Sequence, residues 1–358
     1  MAGVDPGTVS IDVCALDGGE VALDESFRSA DLALDSAPLV DALVACGPLD
    51  LVLGPAGYGL PLVPGDRVGE RELALMVLLR SDEAGARAGI RGMRAMIRAL
   101  IGAGLPLVFG PGAIHLPTVP EYRKWNRIDL GTADKVCGAA LCIADQADRL
   151  GLAYEETSFI MLELGGAFTA ALAIDRGQIV DGFGGSYAPI GSRSCGALDA
   201  EVAYLLGGAL SKETVFSGGA LDPRGDRDLS APGALETLRA DPRHRQGWLA
   251  LEEGAVKAVL ALTVSVRAPR EILVAGRLAG APGLLDALAE RLAGVATVSA
   301  ATGLRPRAKT AAEGAAVLAD GLAGGRYAPL VDRLRLREAS GTALDRLRMR
   351  GAETIRLA

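Results

Sequence analysis

The chain repeats one unit. Residues 1–27 read as a strand, a tight glycine turn and a hairpin, through GVD, PGT, SIDVCALD, GG and EVALDESF, and residues 158–185 follow the same plan in SFIMLELGGAFTAALAIDRGQIVDGFGG. A single constant offset lays Asp5 on Glu163, Gly7 on Gly165, Thr8 on Gly166, Asp17 on Asp175 and Gly19 on Gly177. A chain that carries acid, glycine and hairpin turn at the same spacing twice is expected to build the same α/β unit twice. With 358 residues it is long enough for two cores, and the boundary is placed at 1–145 and 146–358.

The composition agrees with an Ala/Leu/Val α/β protein. Half the residues are hydrophobic, only 4% are aromatic and 47 are glycine, which excludes a collagen-like or disordered chain. A net charge of −7 argues against nucleic acid or an anionic membrane as partner, because both are held mainly by basic surfaces. No apolar window is long enough to span a bilayer, and MAGVDPG has no basic region before an apolar stretch, so a cytoplasmic protein is expected. The five cysteines are odd in number and scattered, which suits buried thiols. Two histidines exclude a histidine-rich metal centre, and His115, beside apolar residues, reads as a packed side chain.

Between the copies, LDLVLGP and LPLVFGP read as short buried strands. Glu83 to Leu100 has helical spacing with Arg87, Arg91, Arg94 and Arg98 on one face, read as a solvated stripe. A second helix starts at Thr132, with Asp134 in its first turn. Later helices are expected near 197–210, 249–266, 282–292 and 311–322. Further expectations are a strand at 271–276, a surface loop near 222–246 and a basic tail that packs back on the body.

The turns carry the chemistry. In GVDPGTVS an aspartate ends a strand just before Gly7 and Thr8, which can aim backbone and hydroxyl donors at a phosphate while Asp5 holds Mg²⁺ directly or through water. In LELGGAFT, Gly165 and Gly166 allow close backbone approach and Thr169 offers a hydroxyl, again after an acid, Glu163. Taken alone, Asp-Pro-Gly is also a common β-turn. Two such turns facing one another would clamp adjacent phosphates.

The paired turns, the helix from Thr132 and the late LVAG strand resemble the phosphate-1, connect-1, phosphate-2 and adenosine motifs of the superfamily of acetate kinase, sugar kinases, actin and heat-shock ATPases. PGAIHLPTVPEYRKWNRIDLGTADKVCGAAL and GFGGSYAPIGSRSCGALD are similar to acetate and butyrate kinases, and to an uncharacterised group described as predicted butyrate kinases. The resemblance implies two duplicated ribonuclease H-like, actin-like ATPase domains with ATP and Mg²⁺ in the cleft between them. Asp5 and Glu163 would hold the metal. Gly7, Thr8, Gly165, Gly166 and Thr169 would contact phosphates, and Gly276 and Arg277 the purine and ribose. It also leaves room for a homodimer. The sequence departs from the pattern at Glu163, where aspartate is usual, and at Ala275-Gly276-Arg277, where Gly-Gly is usual.

The resemblance implies a small-molecule kinase, with a carboxylate acceptor as the first choice. An ionised carboxylate needs cations rather than a base, and Arg193, Arg127 and Lys135 meet that need. A hydroxyl acceptor would need a base, Asp134 or Asp129. The alternatives are such a hydroxyl kinase, an ATPase whose output is conformational, and a nucleotide-binding regulator.

Overall fold

The structure is a computed structural model that describes residues 1–83, 88–224, 227, 229, 231–304 and 310–358; the side chains of residues 88–91 also lie outside the described set. The first sheet is built from β1 (Ala2–Pro6), β2 (Ser10–Asp17), β3 (Glu20–Arg28), β4 (Val52–Gly54), β5 (Val63–Pro64) and β6 (Leu107–Phe109), in the order β3-β2-β1-β4-β6-β5. The second holds β7 (Phe159–Leu164), β8 (Thr169–Asp175), β9 (Gln178–Phe183), β10 (Glu271–Ala275) and β11 (Thr297–Ala300), in the order β11-β10-β7-β8-β9.

The repeat read from the sequence holds at the level of hydrogen-bond register. Asp5 opposes Asp12 across β1 and β2, and Glu163 opposes Ala170 across β7 and β8. Each hairpin turns through two residues with positive φ, Gly18 and Gly19 in one and Arg176 and Gly177 in the other, as the right-handed twist of the strands requires. Even the irregularity is copied: register shifts between Ala15 and Leu16 and, at the same offset, between Ala173 and Ile174. The central strand of each unit then pairs in parallel, β1 with β4 and β7 with β10.

Apolar residues on both faces of each sheet demand cover on both sides. Helices Ala37–Ala45, Glu70–Val77 and Ala88–Gly102 close the outer face of the first sheet, around Leu39, Met76 and Ile97. Helices Arg245–Leu262 and Leu284–Leu292 close that of the second, around Leu251, Val259 and Leu288. Two helices fill the space between the sheets, and they are exchanged. Ala133–Leu150, which follows the first sheet in sequence, packs on the second, with Gly138 against Met161 of β7. Thr310–Leu322, which follows the second, packs on β1, β2 and β4 of the first.

Both central helices are rich in alanine and glycine, which lets their backbones approach. A Cβ on Gly314 would stand 1.9 Å from the Cys137 carbonyl oxygen, so no other residue fits that crossing. Residue 145 lies inside Ala133–Leu150. From Tyr327 the chain runs back over the first sheet's side, where Asn126 N–H donates to the Arg346 carbonyl at 2.9 Å and Ala358 N–H to the Leu79 carbonyl at 2.8 Å.

Several local expectations are corrected. Among the described residues the arginine-striped helix covers Ala88–Gly102 and Glu83 belongs to a separate turn, Ser81–Glu83, while Arg87 and the Arg91 side chain lie outside the described residues. The expected 222–246 loop contains a helix, Ala234–Ala240, because ALETLRA has good helix formers and buries Leu238. Its Leu238 carbonyl accepts the indole N–H of buried Trp248 at 3.1 Å. No helix among the described residues is long and apolar enough to cross a membrane.

Candidate active site

The two turns meet. A Cβ built on Gly166 would lie 2.9 Å from Cγ2 of Val9 and 3.9 Å from Nε of Arg277, so the turn after β1, the turn after β7 and the residue after β10 share one place. Among the described residues the N–H groups of Thr8 and Val9 in one turn, and of Gly166 and Ala167 in the other, make no hydrogen bond. Strand geometry explains why. Each antiparallel ladder stops short of its turn, leaving successive donors aimed outward as an anion-binding concavity.

The second turn is braced from behind. Ala167 carbonyl accepts from Arg193 N–H and Ser194 N–H, both at 3.0 Å, and Ser192 Oγ donates to the Gly165 carbonyl at 3.3 Å. Thr169 is buried and its hydroxyl donates to the Ile190 carbonyl at 3.1 Å, away from the facing turns. The Arg193 guanidinium is engaged by Asp222 at 3.2 Å and by the Arg227 carbonyl at 3.0 Å. The segment around Arg193 therefore supports the turn with its backbone.

Acidic groups gather at the mouth. Asp5 is buried at the end of β1, and the directly opposite Asp12 is buried beside it on the same face, accepting from Ser10 Oγ at 2.9 Å. Lys135, in the first turn of Ala133–Leu150, donates to Asp134 and lies 2.8 Å from Glu163 Oε1. Burial works against the Lys135 charge, but Asp134, Glu163 and Asp5 outweigh it and hold the ammonium well above its ordinary pKa. Asp134 also accepts from the Thr132 hydroxyl. Thr132 stands at the N-cap position but gives its side chain to Asp134 instead of to the helix backbone.

The donor set fits a magnesium ion that arrives with phosphate oxygens. Asp5 and Asp12 supply hard carboxylate oxygens beside the turn, and among the described residues no three metal-capable side chains converge, so nucleotide and water would complete the shell. Glu163, expected as a metal ligand, is instead matched with the Lys135 ammonium.

Other expected residues lie at the edge. Arg127 stacks 3.9 Å from the Tyr187 ring centroid and donates to the Asn126 carbonyl. Asp129 is buried, accepts from Gly131 N–H at 3.1 Å and Ser186 N–H at 3.2 Å, and is raised above its ordinary pKa by burial. Gly276 has φ +87 and starts the short turn Arg277–Gly280 against the Leu164 carbonyl. Arg277 thus stands beside the phosphate-type turn. Sequence reasoning missed Asp12, whose one signal is a charge inside the apolar run SIDVCALD.

His115 is packed, as its apolar neighbours imply. Its Nδ1 faces the Gly112 carbonyl at 3.2 Å, and burial pushes its pKa down to about 4. A depressed imidazole contributes stability above its unfolded pKa near 6.5 and loses it as pH falls toward 4, on the order of 3 kcal/mol. His115→Leu is expected to flatten that part of the stability curve in urea unfolding across pH 4 to 7.5; an unchanged slope would assign the loss to other groups.

The fold is shared with known kinases. A propionate kinase from Francisella tularensis subsp. tularensis SCHU S4 superposes with TM-score 0.58 at 12% identity, covering 87% of this chain and 98% of that one. An acetate kinase from Entamoeba histolytica superposes with TM-score 0.52 at 10% identity, covering 82% and 87%. At such identities the likeness shows the fold alone. No curated protein matches the sequence. A family model described as "Protein of unknown function (DUF1464)" matches residues 3–349.

Proposed function

The chain belongs to the DUF1464 family, and from the geometry of its cleft we propose that it binds ATP between the facing turns and transfers the γ-phosphoryl group to a small carboxylic acid. One observation carries the reading: four backbone N–H groups of Thr8, Val9, Gly166 and Ala167, from two copies of one hairpin unit, have no acceptor among the described residues. Adjacent phosphates are the ligand that such paired donors suit. The names of the propionate and acetate kinases that share the fold support a carboxylate as acceptor.

In this reading Arg277 contacts a phosphate beside Gly166, and Asp5, backed by Asp12, would hold a magnesium ion that would partly neutralise phosphate charge. The acceptor carboxylate is ionised at neutral pH and gives up no proton. Its oxygen bonds to the γ-phosphorus as the bond to the β–γ bridging oxygen breaks, and the electron pair leaves on ADP. Lys135, fixed by Asp134 and Glu163, provides a preorganised positive potential at the junction of the lobes. Arg193 holds the second turn in shape through its backbone, and Arg127 borders the same loops. A hydroxyl acceptor is less well served, since Asp134 is bonded to Thr132 and Lys135 and is poorly placed as a base.

Mg-ATP is expected to raise the melting temperature, as any ligand selective for the folded state does. Hydroxylamine trapping across acetate, propionate, butyrate and branched acids should detect an acyl phosphate. Phosphorylation of an alcohol or sugar with no acid trapped would replace the carboxylate acceptor, and no thermal response to Mg-ATP would remove the nucleotide.

A further inference from the structure

Lys212 reaches from the second half of the chain onto the first. The arm 198–216 leaves the body at the bridge between Ser194 and Gly218, and its last turn, Lys212–Val215, rests on the loop after β4. The ammonium donates to the Tyr58 hydroxyl at 3.0 Å and to the Leu78 carbonyl at 3.4 Å, while Lys212 N–H donates to Glu83 at 3.1 Å. The same ammonium lies 4.5 Å from the Tyr58 ring centroid and 5.2 Å from that of Phe216. Phe216 in turn meets Phe168 of the second turn edge-on at 5.1 Å. A line of contacts therefore joins the second turn to the β4 loop, whose Pro55 and Ala56 line a small cavity beside Asp5 and Asp134.

Lys135 and Arg193 are ion-paired, to Glu163 and Asp222. Among the described residues the Lys212 ammonium is in ion-pair distance of no carboxylate, and its hydrogen-bond partners are neutral. A half-buried cation held by neutral acceptors and ring faces keeps its full attraction for an incoming anion. We propose that Lys212 determines acceptor specificity: it takes the anionic head of a short organic acid where the arm meets the loop after β4, with Tyr58 holding the ammonium in position. This rests on the carboxylate acceptor proposed above.

Thermal shift with acetate, propionate, butyrate and isobutyrate, run separately from Mg-ATP, tests it. Wild type is expected to respond to at least one acid. Lys212→Met should weaken that response about tenfold or more in half-saturating concentration, the scale of one charge-assisted hydrogen bond. Lys212→Arg should retain it, and both variants should respond to Mg-ATP as wild type does. An acid response unchanged in Lys212→Met overturns the proposal. So does a wild type that responds to Mg-ATP and to no acid, an outcome that leaves the nucleotide reading standing. A wild type that responds to an acid but not to Mg-ATP removes the kinase reading, and Lys212 is still decided by the acid series. If Lys212→Met does not fold, Tyr58→Phe replaces it, and unchanged acid binding in that variant overturns the proposal.

Discussion

Lys135→Met is expected to lower stability by about 3 kcal/mol or more, because it removes one partner of a buried ionic group and leaves Asp134 and Glu163 without their shared cation near Asp5. The cost falls on the carboxylates left behind, so the double variant Lys135→Met with Glu163→Gln should regain part of it. Urea unfolding of the single and double variants measures the difference. Additive losses would mean that Lys135 and Glu163 do not interact energetically. The pH dependence has a definite sign. A lysine held above its ordinary pKa contributes its full share at neutral pH and loses it only as pH rises beyond the ordinary lysine range.

Asp5→Asn is expected to leave the unliganded melting temperature nearly unchanged while cutting ATP-dependent turnover about 10²-fold or more, the scale of one lost preorganised electrostatic contact. The substitution keeps shape and burial at the end of β1 but removes a negative charge beside the phosphate-type turn. The Mg-ATP thermal response should shrink with it, a readout independent of the acceptor. Full response and full turnover in Asp5→Asn would take Asp5 out of the site.

Much of this frame was legible in the residues. The offset that aligned Asp5 with Glu163 also aligns the strand registers, because a strand's pairing is set by turn chemistry and apolar alternation, both local and both repeated. What stayed hidden depends on contacts far apart in sequence. Nothing in GTADK states that Lys135 pairs with Glu163, although a lysine in the first helical turn opposes the helix dipole and so signals an anionic partner elsewhere. GSRSCG offers Arg193 as a cation for an acceptor, and only the fold brings Asp222 to its guanidinium. Thr169 looked like a phosphate donor until Ile190, brought close by the loop after β9, took its hydroxyl. The exchange of central helices was equally unreadable, since two alanine- and glycine-rich helices fit either sheet.

The copied hairpin, down to its register shift, has a bearing on direction. The phosphoryl transfer proposed above would run one way between the two turns, yet the backbones that frame them are alike. Polarity must then come from side chains, which differ between the copies at most positions, among them Pro6 against Leu164, Thr8 against Gly166 and Asp12 against Ala170. At these three points the first copy bears a ring, a hydroxyl and a second carboxylate, and the second bears a leucine, no side chain and a methyl group. One backbone cradle repeated twice thus carries two opposed carboxylates, Asp5 and Asp12, on one rim and a single carboxylate, Glu163 matched by Lys135, on the other.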